Sequence, residues 1–261
     1  MKKLVVYILC LMLALCALCG CTSSGSSPAT ADGCIGQHHT IEVNGVSIYY
    51  EQAGSGKPVI LCHGNGGSHK DLSCEIEQLV NAGYEVYALD SRGQGANERL
   101  DEYHYTDMAE DVYQFIQTLG LDHPAFYGWS DGGIVGLELE IAHPGCTSAL
   151  AVSGANLNPE ALNGTFGLVT GASSALTGDP LYDMILTEPD ITCEQLASIT
   201  VPTLVTAGTD DIVSREHTEL IASSIPGAQL MIFSGESHGS YIQGSQKMGD
   251  ALIAFLQECG Y

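Results

Sequence analysis

Positive charge is scarce in this chain. Eight Lys and Arg stand against 31 Asp and Glu over 261 residues, a formal net charge of −23 at pH 7. So acidic a surface repels a phosphate backbone, and no basic patch offsets it, which makes nucleic acid a poor partner. Metal-binding patterns are missing too. There is no His-Glu-x-x-His and no clustered Cys/His set, so no metal is implied. The phosphate-loop pattern fails, because Gly56-Lys57 is followed by Pro58 rather than Ser or Thr, and the Gly64 loop has no Lys after its glycines. A nucleotide is therefore not expected, and no cofactor is implied. Internal repeats are absent. The longest apolar run, residues 4–18, is short for a membrane span.

That run has another meaning. Lys2 and Lys3 precede it and small residues follow it, the layout of an export signal over residues 1–20. It ends Leu18-Cys19-Gly20-Cys21, which resembles the lipobox of bacterial lipoproteins. The resemblance implies acylation of Cys21 and anchoring to the outer face of a bacterial membrane; plain secretion is the alternative. Cys10, Cys16 and Cys19 would leave with the signal, so the Cys16–Cys19 spacing is no redox motif. Residues 22–32 are Thr, Ser, Gly, Pro, Ala and Asp, which makes 21–37 a flexible tether. Cys34, Cys62, Cys74, Cys146, Cys193 and Cys259 remain, and their spacing assigns no disulfide.

From His38 onward the texture is that of a folded domain. Residues 40–43 and 46–50 alternate around Asn44-Gly45, a strong hairpin signal. Beyond Lys57, apolar runs at 58–62, 84–89, 124–129, 148–152, 202–207 and 229–233 read as strands. Helix-period segments separate them at 71–81, 106–119, 131–142, 214–224 and 245–258. Such alternation predicts a mostly parallel sheet with helices on both faces. The strands are continuously apolar, as a doubly covered sheet requires. Residues 157–198 break the rhythm and carry Gly164, Gly167, Gly171 and Gly178, the mark of an insertion capping the site.

Gly128-Trp129-Ser130-Asp131-Gly132 has the G-x-S-x-G pattern, placed after a strand-like run and before a helix. A nucleophile on so sharp a turn needs small neighbours. Gly235-Glu236-Ser237-His238-Gly239 fits the same pattern. No histidine follows His238, so Ser237 has no downstream base in the order Ser, acid, His, whereas Ser130 has one. After Ser130, the turn Gly208-Thr209-Asp210-Asp211 ends a strand, with Asp211 as the candidate acid and Asp210 its rival. Two histidines lie beyond it. His217 falls within a helical stretch and reads as part of a solvated face; His238 falls in a loop after a strand, where a catalytic imidazole belongs. The backbone amides of Asn65, in the loop His63-Gly64-Asn65-Gly66-Gly67, and of Asp131 are the candidate oxyanion donors. Glu138 and Glu140 read as sheet partners or a solvated face. Trp129 and Tyr241 read as core or site lining, and Phe166, Leu168, Met184 and Leu186 as either a pocket or the insertion's own small core.

Taken together, these motifs, with Asp90-Ser91-Arg92-Gly93-Gln94-Gly95 and Val201-Pro202-Thr203, resemble the α/β-hydrolase superfamily over residues 38–261. The resemblance implies an α/β-hydrolase fold with a short cap at 157–198, and it favours Asp211 as the acid of a triad with Ser130 and His238. It leaves the loop of Arg92 and Gly95 structural. The implied activity is an esterase-type serine hydrolase acting on a small-molecule ester. A thioesterase, lactonase, amidase or carbon–carbon bond hydrolase with the same triad, or an inactive surface-binding lipoprotein, are the alternatives.

Overall fold

A computed structural model describes residues 35–261. The expected export signal, the expected lipidation site Cys21, most of the expected tether and Cys34 lie outside the described residues.

Strands β1 (Gln37–Val43) and β2 (Val46–Gly54) pair as an antiparallel hairpin. Its turn places Asn44 at φ 45° and Gly45 at φ 76°, the double left-handed turn that Asn-Gly favours. The remaining strands are β3 (Lys57–Cys62), β4 (Tyr84–Leu89), β5 (Ala125–Trp129), β6 (Ala149–Ser153), β7 (Thr203–Asp210) and β8 (Gln229–Ser237). They form one eight-stranded sheet in the order β1-β2-β4-β3-β5-β6-β7-β8. β1, β2 and β4 are linked antiparallel, and every pairing from β4 through β3 to β8 is parallel.

Helices cover both faces. α2 (Tyr105–Leu119), α3 (Asp131–Ala142) and α7 (Arg215–Ser224) pack on one side; α1 (Ser73–Asn81) and α8 (Lys247–Glu258) pack on the other. β3 shows why its sequence is apolar throughout. Ile60 and Cys62 enter one core while Val59 and Leu61 enter the other, and all four are buried. The expected fold class, a mostly parallel sheet with helices on both faces, is the one observed.

Several boundaries differ from expectation; β1 begins at Gln37 and β2 runs on to Gly54. The helix expected over 71–81 is a 3-10 turn, His69–Leu72, followed by α1. Ser68 and Asp71 form a reciprocal capping box that starts the turn early. β7 and β8 also run further than their apolar stretches, because they stay paired past a register shift between Gly208 and Asp210.

Between β6 and β7, the chain forms a short turn, Pro159–Ala161, and helices α4 (Gly164–Thr177), α5 (Pro180–Thr187) and α6 (Cys193–Leu196). Two ion pairs fasten this segment to the loop before α2: Arg99 with Asp179, and His104 Nδ1 with Glu188 Oε1 at 2.5 Å. Among the described residues, no helix is long and apolar enough to cross a membrane. Cys62, Cys146, Cys193 and Cys259 are free thiols.

Candidate active site

The parallel strands end together at one edge of the sheet, and the candidate residues all follow such ends. Asn65 lies beyond β3, Ser130 beyond β5, Asp211 beyond β7 and His238 beyond β8.

Ser130 occupies a strained elbow. Its φ of 55° and ψ of −116° lie where a residue with a Cβ rarely sits. The turn is held by Ser130 N–H donating to Ser153 O at 2.7 Å and Gly133 N–H donating to Ser130 O at 2.8 Å. It also demands its flanking glycines. A Cβ on Gly128 would lie 2.0 Å from Gly132 O, and one on Gly132 would lie 2.2 Å from Cys62 O. Ser130 stands at the N-cap of α3 without using its side chain to cap it, so Oγ faces outward.

His238 Nε2 lies 2.9 Å from Ser130 Oγ, and His238 Nδ1 lies 2.6 Å from Asp211 Oδ1. The Asp211 side chain is almost wholly buried. Burial alone would raise its carboxyl, but the hydrogen bond and charge of His238, with N–H donation from Val213 and Gly208, hold it below the usual range. An ionised Asp211 fixes the tautomer. Nδ1–H donates to Asp211, leaving Nε2 to accept from Ser130 Oγ–H. Asp210 is exposed, on the last residue of β7, and Asp211 is the one that meets the imidazole. Ser237 is exposed at the end of β8.

The Asn65 loop is braced by His63, a role its place in the motif did not reveal. His63 Nε2 accepts from Ser91 N–H at 3.0 Å, so Nδ1 carries the proton and donates to Gly64 O at 2.6 Å. Burial lowers its pKa, in keeping with this neutral form. Among the described residues, the N–H groups of Asn65 and Asp131 have no backbone or side-chain acceptor. Their side chains meet instead, Asn65 Nδ2–H donating to Asp131 Oδ2 at 2.9 Å.

A cavity of about 30 Å³ opens beside Ser130 and His238, with Asn65, Tyr105, Asp131, Gly154, Asn156, Leu162, Phe166, Ile185, Glu188 and Ile212 completing its wall. No Lys or Arg lines it, and among the described residues no group of His, Cys, Asp or Glu is arranged to hold a metal. Gly154 is indispensable there: its φ is 60°, and a Cβ would lie 2.7 Å from the His238 ring. Its place just after β6 was the signal available in the sequence, since every other site segment also follows a strand end.

One sequence reading is revised, and readings that stood open are resolved. His217 does not sit on a solvated face. It is half-buried, its Nε2 accepts from Leu157 N–H at 2.9 Å, and burial lowers its pKa. Glu140 is fully buried and ties down the turn after α3 through Gly145, Thr147 and Cys146. Trp129 Nε1–H donates to His238 O at 3.0 Å and so steadies the histidine loop, whereas Tyr241 is core. The four insertion residues divide: Phe166 lines the cavity, Met184 is core, and Leu168 and Leu186 are exposed. Arg92 is structural, its guanidinium bonded to Asp111 and Asp107.

The sheet and the Ser–His–Asp alignment define the α/β-hydrolase class of fold. Comparison with known proteins agrees. The family model described as alpha/beta hydrolase fold matches residues 57–170. The chain is 24% identical to the AB hydrolase superfamily protein YisY of Bacillus subtilis, across 80% of this chain and 95% of that one. It is 26% identical to the serine hydrolase BPHL of Homo sapiens, across 89% and 90% respectively. Among solved structures, an esterase (EaEST) from Exiguobacterium antarcticum superposes with a TM-score of 0.73 at 22% identity, covering 85% of this chain and all of that one. The match over residues 57–170 and these relatives are similarities to α/β hydrolases, and they agree with the α/β-hydrolase fold of the sheet.

Proposed function

We propose that the protein hydrolyses small-molecule carboxylic esters through an acyl-enzyme formed on Ser130. The observation that carries this reading is the hydrogen-bonded line from Ser130 Oγ through His238 to buried Asp211, set at a strained elbow. Ser130 Oγ attacks the ester carbonyl while His238 Nε2 takes its proton. The amides of Asn65 and Asp131 receive the negative charge on the carbonyl oxygen, and Asp211 stabilises the imidazolium. Collapse breaks the ester C–O bond, with His238 returning the proton to the leaving alcohol. Water, deprotonated by His238, then releases the acid and restores Ser130. A cavity this narrow, without a cationic side chain, favours a small and non-anionic acyl or alcohol group. The names of relatives support the class: BPHL is called a serine hydrolase and the Exiguobacterium protein an esterase.

The test is labelling with a fluorophosphonate, followed by peptide mass analysis and a panel of p-nitrophenyl esters of rising chain length. Adduct on Ser130 and fastest turnover of the shortest esters are expected. No adduct on Ser130 would remove the reading. Faster turnover of thioesters, lactones or amides than of matched esters would move it to another bond within the same mechanism.

Location belongs to the same proposal. The order of Lys2-Lys3, the apolar run 4–18, Gly20-Cys21 and the tether supports an enzyme acylated on Cys21 and held on the outer face of a bacterial membrane. Fractionation and N-terminal mass analysis of wild type and Cys21→Ser decide this. Unlipidated wild type in the medium, matching Cys21→Ser, would leave plain secretion.

A further inference from the structure

Asp131 offers the candidate oxyanion site its N–H, but its side chain turns the other way. The carboxylate is buried, 6% exposed. Oδ2 accepts from Asn65 Nδ2–H and Oδ1 accepts from Tyr105 O–H, each at 2.9 Å. The two residues whose amides would hold the oxyanion are therefore tied to one another by their side chains, across the gap between the β3 loop and the β5 elbow. The elbow is rigid, but the loop is rich in glycine. Its other ties hold the residues on either side of Asn65 rather than Asn65 itself: His63 Nδ1–H donates to Gly64 O before it, Gly66 N–H to Gln94 Oε1 after it, and Gly67 N–H to Gly64 O across it.

Resting on the hydrolase reading of the site, we propose that the Asp131 carboxylate is a positioning residue: it clamps Asn65 so that the Asn65 and Asp131 amides converge on one oxygen, and it releases that clamp when protonated. As a carboxylate it accepts from both donors. Once protonated, one of its oxygens presents a hydrogen to a group that also donates, and the Asn65 bond or the Tyr105 bond is weakened. The groups facing it are Asn65 from the β3 loop, Tyr105 at the start of α2 and His238 from the loop after β8, with Glu188 beyond Tyr105. Burial raises its pKa to about 6 in spite of the Asn65 and Tyr105 hydrogen bonds and the charge of His238. Below that value, kcat falls because the oxyanion donors lose register.

The experiment combines steady-state ester kinetics from pH 5 to 9 with the rate of fluorophosphonate labelling at Ser130, in the full chain. Asn65→Ala keeps the backbone amide and removes the clamp. Asp131→Ala removes it from the other side. Each is expected to lower kcat about tenfold or more with little change in KM, because the oxyanion interaction is made in the transition state. The double variant should be no slower than the slower single one, since both remove the same contact. Asp131→Asn should lose the acid inflection that Asp131 contributes, whatever its plateau, and Tyr105→Phe should move that inflection upward by taking a donor from the carboxylate. Additive losses, or an Asp131→Asn profile with the wild-type acid limb, overturn the clamp. So does an Asp131→Ala effect confined to KM and dependent on substrate charge, which would make the carboxylate a substrate contact. Wild type that forms no adduct on Ser130 overturns the hydrolase reading itself, and the clamp with it; normal labelling of wild type and both alanine variants at one rate overturns the clamp alone.

Discussion

Two pentapeptides of one pattern, Gly128–Gly132 and Gly235–Gly239, differ in almost everything that matters for chemistry. The first closes β5, whose residues Ala125 to Gly128 are buried, and it opens helix α3. The second closes β8, an edge strand with most of its residues exposed or half-exposed, and it leads into turns before α8. Ser130 is strained at φ 55° with its Oγ facing an imidazole; Ser237 continues a strand and donates its N–H to Ser240 Oγ at 2.8 Å. Glycines do not make a nucleophile. A strand that must turn sharply into a helix against a packed core does, because only that geometry forces one side chain out of the sheet edge and aims a helix N-terminus at it.

The comparison can be broken at its centre. Ser130→Ala is expected to lower kcat by about 10⁵-fold, the scale of nucleophile loss in triads, while Ser237→Ala stays near wild type. The reverse ranking, measured on one ester, would exchange the roles of the two pentapeptides. The next largest contrast lies between neighbours. Asp211→Asn should cost about 10³- to 10⁴-fold by favouring the wrong imidazole tautomer, and exposed Asp210→Asn should cost little. Equal losses in kcat would show that the acid had been assigned to the wrong carboxylate.

The glycines sharpen it in stability. Gly132→Ala drives a methyl group into Cys62 O and should destabilise by about 3 kcal/mol or more, or prevent folding. Gly235→Ala meets open space and carries only the strain of φ 75°, about 1 kcal/mol. Urea denaturation of the two variants checks the ranking, and similar midpoints would contradict it.

A last contrast, read only through pH, concerns a buried carboxyl near the first pentapeptide. Tyr127, on β5, and Glu75, on α1, are both fully buried. Burial raises the Glu75 carboxyl to about 8, and neither of its oxygens has a partner among the described residues. A carboxyl raised on folding contributes its full stability below the ordinary Glu range and loses it as pH climbs towards 8. Wild type should therefore lose stability relative to Glu75→Gln by on the order of 1.4 kcal/mol per pH unit between about pH 5 and 8, and no more above that. A pH-independent difference in denaturation midpoint would show that Glu75 is not held neutral.

The strands were legible to within a few residues, because a sheet covered on both faces needs unbroken apolar runs and little else in this chain supplies them. The hairpin was legible from Asn44-Gly45, and the site order from the succession of Ser130, Asp211 and His238. The cap was visible only as a lapse in the alternation. Its helices α4 and α5 bury few residues, so periodicity had little to register, and the division of Phe166 from Leu168 depended on which way one helix faced. His217 was misread for a related reason. A histidine on a helix looks solvated until a distant backbone N–H, here that of Leu157, arrives to use it.

By itself the sequence determined the class of fold, the elbow and the order of the three residues aligned there. Local backbone sterics and hydrophobic burial decide these, and both are written in neighbouring residues. Tertiary structure alone decided which of two adjacent aspartates meets the imidazole, that Gly154 must be bare beneath the His238 ring, that His63 braces the Asn65 loop, and that the Asn65 and Asp131 side chains bind each other. Each of those facts rests on an approach of a few ångströms between segments far apart in the chain, and only the packed sheet sets such distances.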